Sequence, residues 1–139
     1  MRIEETVQIR RSREEVWAFV VDHGNDPVWC KKVVAVEPGG SGEWTVSHRP
    51  VPLRPAMKLI LEQLEVDPPR CLKLHEEDDA AVFDVAYRLE AEGRDTRFTQ
   101  TSEFEWKKLP RLLHKLFARG VRRDVRRQLR VLKRVLEAQ

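Results

Sequence analysis

The residues best able to do chemistry in this chain are four histidines, two cysteines, one tyrosine and a few polar groups on otherwise apolar stretches. His23, His48, His75 and His114 are scattered, and none forms a His-x-x-x-His pair. Cys30 and Cys71 form no Cys-x-x-Cys pair, so no dedicated metal site is expected. They read as two buried, reduced thiols, with a disulfide as the alternative. Gly-x-Ser-x-Gly elbows, P-loops and dinucleotide fingerprints are lacking. Gly39-Gly-Ser-Gly42 sits between strands and reads as a hairpin turn rather than a phosphate cradle. No acid–base or nucleophile–base pair is recognisable.

Sharper candidates come from polar residues on inward parities. Tyr87 is the sole tyrosine, and its hydroxyl needs a partner if buried. Gln100 and Ser102 share parity with Phe98 and Phe104. Asp124 and Gln128 lie on the apolar side of a C-terminal helix. A buried Asp124 carboxyl would titrate high unless paired. It could orient a ligand hydroxyl or accept a proton, or it could form a salt bridge with Arg127 or a strand cation. Tyr87, Gln100 and Ser102 read first as hydrogen bonds within the core, with ligand contacts as the alternative. His48 shares parity with Trp44 and Val46, and could face a cavity mouth or end a strand at the surface.

These groups need a scaffold, and hydrophobic periodicity supplies one. Residues 2–9 alternate as a first strand, with Ile3, Val7 and Ile9 on one side. Ser12-Arg-Glu-Glu15 is a capping box that opens a helix carrying Val16, Trp17, Phe19 and Val20. Asn25-Asp-Pro27 starts a second short helix anchored by Trp29. From residue 33 the period becomes two. Strands are expected at 33–37, 43–48, 57–66, 71–77, 82–91 and 96–106, with a bulge near Glu62 where the apolar parity changes. Arg49–Pro55 holds three prolines and reads as a loop.

The last thirty residues are helical in pattern, with Pro110 in the first turn. Leu113, Leu116, Phe117, Val121, Val125, Leu132, Val135 and Leu136 form one broad face, and arginines and lysines form the other. A thirty-residue helix would span about 45 Å. Gly120 marks a bend or a close approach of a bulky group. Charge is segregated along the chain. Residues 107–139 hold 12 Lys/Arg against 2 Asp/Glu, a net of +10, while residues 1–106 carry −7, giving the overall +3. The basic end either complements the acidic remainder or docks an external acidic partner. The basic face lacks the interleaved aromatics of a single-strand binder, so no specific nucleic-acid role is expected. Peripheral contact with an anionic membrane is the other possibility for this face. No apolar run is long enough for a membrane span, and no apolar signal stretch follows Met1. The expectation is a single cytoplasmic domain over residues 1–139, as a monomer or homodimer.

Ser12-Arg-Glu-Glu-Val-Trp17 with Phe19, Asn25-Asp-Pro-Val-Trp29, Gly39–Gly42 before Trp44, Val66-Asp-Pro-Pro-Arg70, Gly93-Arg-Asp-Thr-Arg97 and Leu129–Glu137 occur in a fixed order. In that order the chain resembles the START-like (SRPBCC) superfamily, which includes birch-pollen-allergen-like, polyketide cyclase/dehydrase-like and lipid-transfer proteins. The resemblance covers essentially the whole chain. It implies an α+β helix-grip fold: a curved antiparallel sheet of six to seven strands around a long C-terminal helix, with two short helices after the first strand. It also implies an apolar cavity, where a plain filled core is the alternative. Strand parity would line that cavity with Trp44, Leu72, Leu74, Phe83, Val85 and Tyr87, then Phe98, Ser102, Phe104 and Trp106. The helix would add Leu112, Leu113, Leu116, Phe117, Gly120, Val121 and Asp124. The expected function is binding or carriage of a small hydrophobic or aromatic ligand of lipid, polyketide or isoprenoid class. The alternative is a cyclase or aromatase without metal or nucleotide cofactor, for which Tyr87, Asp124 and Gln100 are the catalytic candidates.

Overall fold

The switch from period two to helical period at residue 107 divides the molecule into a sheet and the helix laid across it. The computed structural model describes residues 1–49 and 52–139. Among these residues seven strands form one antiparallel sheet: β1 (Arg2–Ile9), β2 (Val33–Pro38), β3 (Glu43–His48), β4 (Met57–Asp67), β5 (Cys71–Glu77), β6 (Ala81–Glu92) and β7 (Asp95–Trp106). Their spatial order is β1-β7-β6-β5-β4-β3-β2, a meander from β2 to β7 with β1 returning to the far edge. The sheet is curved, and a long C-terminal helix lies against its concave face: this is the helix-grip fold. Of the proline-rich loop, Pro50 and Val51 lie outside the described residues.

Turn chemistry sets the register. Gly42 and Gly93 have φ of 73° and 62°, a conformation glycine adopts without a Cβ penalty, and they close the β2–β3 and β6–β7 hairpins. The expected bulge lies slightly later than Glu62, because the β4–β5 register shifts between Gln63 and Glu65. Leu64 is thereby displaced outward and exposed, while Leu59, Leu61 and Gln63 keep the inward parity; Val66, paired with Leu72 near the strand end, is also exposed.

The helices α1 (Arg13–Val20) and α2 (Asp26–Trp29), joined by a 3₁₀ turn at His23–Asn25, fill the sheet at one end. The Ser12 hydroxyl accepts from Glu15 N at 3.2 Å as the capping box requires. The reciprocal half differs: the Glu15 carboxylate accepts from the Ser12 hydroxyl at 3.0 Å instead of from its amide. Trp29 is buried at the centre, edge-on to Phe98 at 6.3 Å and tilted against Tyr87 at 5.7 Å.

The C-terminal helix α3 (His114–Glu137) is shorter than the sequence pattern suggests, because Arg111–Leu113 form a 3₁₀ turn after Pro110. It therefore spans about 36 Å. Only its second half is sealed. Val125, Leu129, Leu132 and Leu136 are buried against the core, one every three or four residues. On the β1 side, Arg126 Nε donates to Glu5 Oε1 at 2.8 Å and Lys133 Nζ donates to the Gln8 carbonyl at 2.7 Å. On the α2 side, Lys32 meets Asp124. The helix is thus pinned to both flanks of the sheet. It runs through Gly120 without interruption, and a Cβ there would meet nothing within 4 Å, so no bulky neighbour explains the glycine.

Candidate functional site: the recess between the sheet and the first half of the helix

Strand pairing brings most of the nominated residues onto the concave face. Leu72 stands opposite Tyr87, Leu74 opposite Val85, Tyr87 opposite Gln100, Val85 opposite Ser102 and Phe83 opposite Phe104. Their burial divides the face in two. Leu72, Leu74, Val85, Tyr87, Phe98, Ser102 and Phe104 are buried. Trp44, Phe83 and Trp106 point the same way yet keep solvent contact. On the helix Gly120, Val121, Asp124 and Gln128 are half-exposed. The sheet is therefore packed beneath α1 and α2 and open toward the end where β3, β5 and β7 finish and α3 begins.

Aromatic rings line that mouth. Phe83 stacks on Phe104 at 5.4 Å, and Phe104 meets Trp106 edge-on at 5.1 Å. Trp106 continues to His114 at 5.1 Å and to Phe117 at 6.1 Å. The ladder carries β7 across to α3. The His114 imidazole is fixed by an Nε2 donation to the Leu109 carbonyl at 2.8 Å. Beyond the ladder the helix start is bare: Leu112 is 92% exposed, Leu116 63% and Phe117 47%. Leu113 also sits at the surface. Leu112 and Leu116, expected to line the cavity, are thus largely exposed to solvent.

Polar groups that periodicity passed over lie on or behind this face. Glu76 shares the inward parity of Leu72 and Leu74, opposite Leu61 and Phe83. Glu76 is half-buried, and the protein around its carboxyl pushes it up to about 7, with the neighbouring Asp26 charge adding to the effect. It makes no hydrogen bond among the described residues. A charged residue at the third inward position of an apolar strand was the available signal. His23 is fully buried. Its Nδ1–H donates to Asp26 Oδ2 at 3.0 Å, and its Nε2 accepts from the Gln63 amide at 3.0 Å, which fixes the tautomer of the ring. Burial raises the Asp26 carboxyl, and the His23 hydrogen bond opposes that rise. The His23-x-x-Asp26 spacing places both side chains on one side of a helical turn.

The named catalytic candidates are distributed differently. Tyr87 is buried against Trp29 and Phe98, and its hydroxyl makes no hydrogen bond among the described residues. Burial raises its phenol well above the ordinary value, with the nearby acidic groups of Cys30, Asp26 and Glu76 adding to it. Gln100 donates to Ser102 Oγ and accepts from Gln128 Nε2, each at 3.3 Å, so these three form a chain across the core. Asp124 is held by Lys32, a cation in the loop before β2, rather than by Arg127. His48 is half-buried and donates to Asp78 Oδ2 at 3.1 Å at the mouth end of the sheet. Both cysteines are free thiols; Cys30 is buried, which pushes its thiol up and leaves it unreactive, whereas Cys71, expected to be buried, opens β5 and is only half-buried. No group of three or more metal-ligating side chains occurs among the described residues.

An inward apolar face with accessible aromatics at one end and a few buried polar groups has the composition of a small-molecule site, although two hollows among the described residues lie elsewhere, one between β1 and α3 and one along the arginines of α3. A family model described as polyketide cyclase/dehydrase and lipid transport matches residues 1–137. The chain belongs to this family. Solved structures share its helix-grip fold. The Zhui aromatase/cyclase from Streptomyces sp. R1128 superposes with a TM-score of 0.79 at 14% identity, over 99% of this chain and 93% of that one. The protein TTHA0849 from Thermus thermophilus gives 0.79 at 20% identity, over 99% and 98%. A conserved protein from Geobacillus kaustophilus gives 0.84 at 13% identity, over 98% and 95%. At these identities the likeness is one of fold. A sequence search of curated proteins returned no match. No helix among the described residues is long and apolar enough to cross a membrane.

Proposed function

We propose that this protein binds a small hydrophobic or aromatic molecule, of lipid, polyketide or isoprenoid class, in the recess between the concave sheet and the first half of α3. One observation carries this reading. Trp44, Phe83 and Trp106 point inward yet stay accessible, while Leu72, Leu74 and Phe98 on the same face are sealed. Large rings on a wettable concave face await an apolar partner, because each would gain on the order of 25 cal/mol per Å² covered. Glu76 is the polar group that orients the occupant. A carboxyl with a pKa near 7 is about half protonated at neutral pH and donates to a ligand carbonyl or hydroxyl. The protein acts in the cytoplasm, as a monomer or homodimer.

The test is a titration with a fluorescent fatty acid and with an aromatic probe, beside native mass spectrometry of protein from its own host. Saturable binding that weakens about tenfold in Trp106→Ala is expected, equivalent to about 1.4 kcal/mol. Absence of both co-purified ligand and probe binding overturns the reading.

Glu76 also favours a second reading, a cyclase- or aromatase-type enzyme. A carboxyl titrating near neutrality beside aromatic walls has the right affinity to pass a proton to and from a folded polyketide chain. Tyr87, Asp124 and Gln100 remain the other residues to mutate. Turnover unchanged in Glu76→Gln, Tyr87→Phe and Asp124→Asn would remove all three side chains from the chemistry.

A further inference from the structure

The mouth of the recess and the solvent side of α3 share one surface, and that surface is both apolar and basic. Leu112 and Leu116 lie four residues apart on the outer side of the helix start, largely exposed, with Phe117 beside them. Leu53, 99% exposed, sits in the β3–β4 loop, which lies at the same end of the sheet as the β7–α3 connection. Lys108, Arg111, Lys115 and Arg119 are exposed around this apolar cluster. Further along the helix, Arg119, Arg122, Arg123, Arg126 and Arg130 line a shallow groove of about 370 Å³. Glu5 neutralises part of the groove through Arg122 and Arg126. Among the described residues Arg119, Arg123 and Arg130 make no ion pair.

We infer that this surface docks on an anionic lipid bilayer, with Leu112, Leu116 and Phe117 inserted at the headgroup boundary and the arginine groove seated on lipid phosphates. Each half of the pattern answers a different part of such a surface. Aliphatic side chains gain by leaving water for the acyl boundary, and basic residues gain about 1 kcal/mol each near anionic lipid. A helix with exposed leucines at its start and unpaired arginines behind them matches both at once. Nucleic acid answers mainly the charge, since Leu53, Leu112 and Leu116 offer no planar ring for a base to stack on and Phe117 is a single ring already edge-on to Trp106. A second copy answers only the apolar part. A two-fold contact through this patch would set Lys115 and Arg119 against their own counterparts. Docking in this orientation brings the mouth of the recess to the membrane surface, so an apolar molecule passes between bilayer and protein without crossing water.

The experiment is co-sedimentation with vesicles of phosphatidylcholine alone and with added phosphatidylserine, at low and moderate salt. The wild type is expected to pellet with the phosphatidylserine vesicles and to be released by salt. The double variant Leu112→Asp with Leu116→Asp, and separately Arg119→Glu with Arg123→Glu, should each lower binding by at least about tenfold. All four positions are exposed, and circular dichroism verifies that the variants stay folded. Pelleting indifferent to phosphatidylserine, or none at all, overturns the inference. So does tighter binding to duplex DNA than to these vesicles, or a concentration-dependent dimer that Leu116→Asp abolishes. Titrating the soluble probe into the same variants keeps this result separate from the ligand-binding reading: lost vesicle binding with retained probe binding supports docking as a distinct property.

Discussion

Lys32 Nζ donates to Asp124 Oδ2 at 2.5 Å, tying the loop before β2 to the middle of α3. The pair is the counterpart of the Glu5–Arg126 bond on the other flank of the helix. Both Lys32 and Asp124 are partly in solvent, at 49% and 30% side-chain exposure, so the attraction is screened. Asp124→Asn is expected to cost less than about 1 kcal/mol in urea unfolding. A loss several times larger would mean that the pair holds the helix in place.

The His23–Asp26 pair lies at the other extreme. Removing the imidazole leaves a buried carboxylate without its partner, a change that costs about 3 kcal/mol or more. His23→Ala should therefore destabilise strongly in chemical denaturation, whereas the double variant with Asp26→Asn should recover part of the loss. Equal stabilities for the two would show that the buried charge is not the cause.

Glu76 gives stability a pH dependence of definite sign. The unfolded chain releases this proton at the ordinary value of 4.5, and the folded chain holds it to about 7. Between those values the folded state carries more protons than the unfolded one, so stability falls as pH rises through the window and levels off above it. The full effect is at most about 3 kcal/mol. Asp26, also raised, acts in the same direction from a lower starting pH. Glu76→Gln should flatten the slope between pH 4.5 and 7 in a series of denaturation curves. An unchanged slope would place the titration elsewhere.

Glu137 works in the opposite sense. Its carboxylate accepts from Lys133 Nζ at 2.7 Å and from the Arg10 amide at 2.8 Å, joining the end of α3 to the end of β1. The Lys133 bond is the main reason it is held down to about 2. Its stabilisation is complete above pH 4.5 and disappears as pH falls toward 2. Glu137→Gln should cost about 1 kcal/mol at neutral pH, and the variant and wild type should converge in acid.

Gly120 has helical neighbours and open space where a Cβ would go. Gly120→Ala should raise the melting temperature, stabilising by about 0.5–1 kcal/mol through the unfolded chain. If the probe described above binds less tightly to the same variant, the open space belongs to the ligand.

Periodicity read the fold well because each strand has one dry and one wet face, so the alternation survives in the sequence. Leu72 and Leu74, or Phe98 and Phe104, are legible for that reason. The site was less legible where burial depends on distant elements. Leu116 reads as core only on a broad apolar face: it stands roughly opposite Val125, Leu129 and Leu132 around the helix, on the side that carries Arg119 and Arg123, and is exposed there. Glu76 was hidden in the opposite way. A glutamate near a strand end reads as solvated, and only pairing with Leu61 and Phe83 places it inside. His23 and Gln63 meet across 40 residues, a contact no short-range spacing contains.

The edge position of β1 also bears on how the chain is made. Residues 2–9 leave the ribosome long before residues 96–103, with which they pair, and α3 closes over them later still. The hairpins from β2 to β7 can zip in the order of synthesis. The first strand must wait as an unpaired, partly apolar segment until its partner has emerged. Arg2, Glu4, Thr6 and Gln8 interleave with the face that carries Ile3, Val7 and Ile9, and they keep that waiting segment soluble.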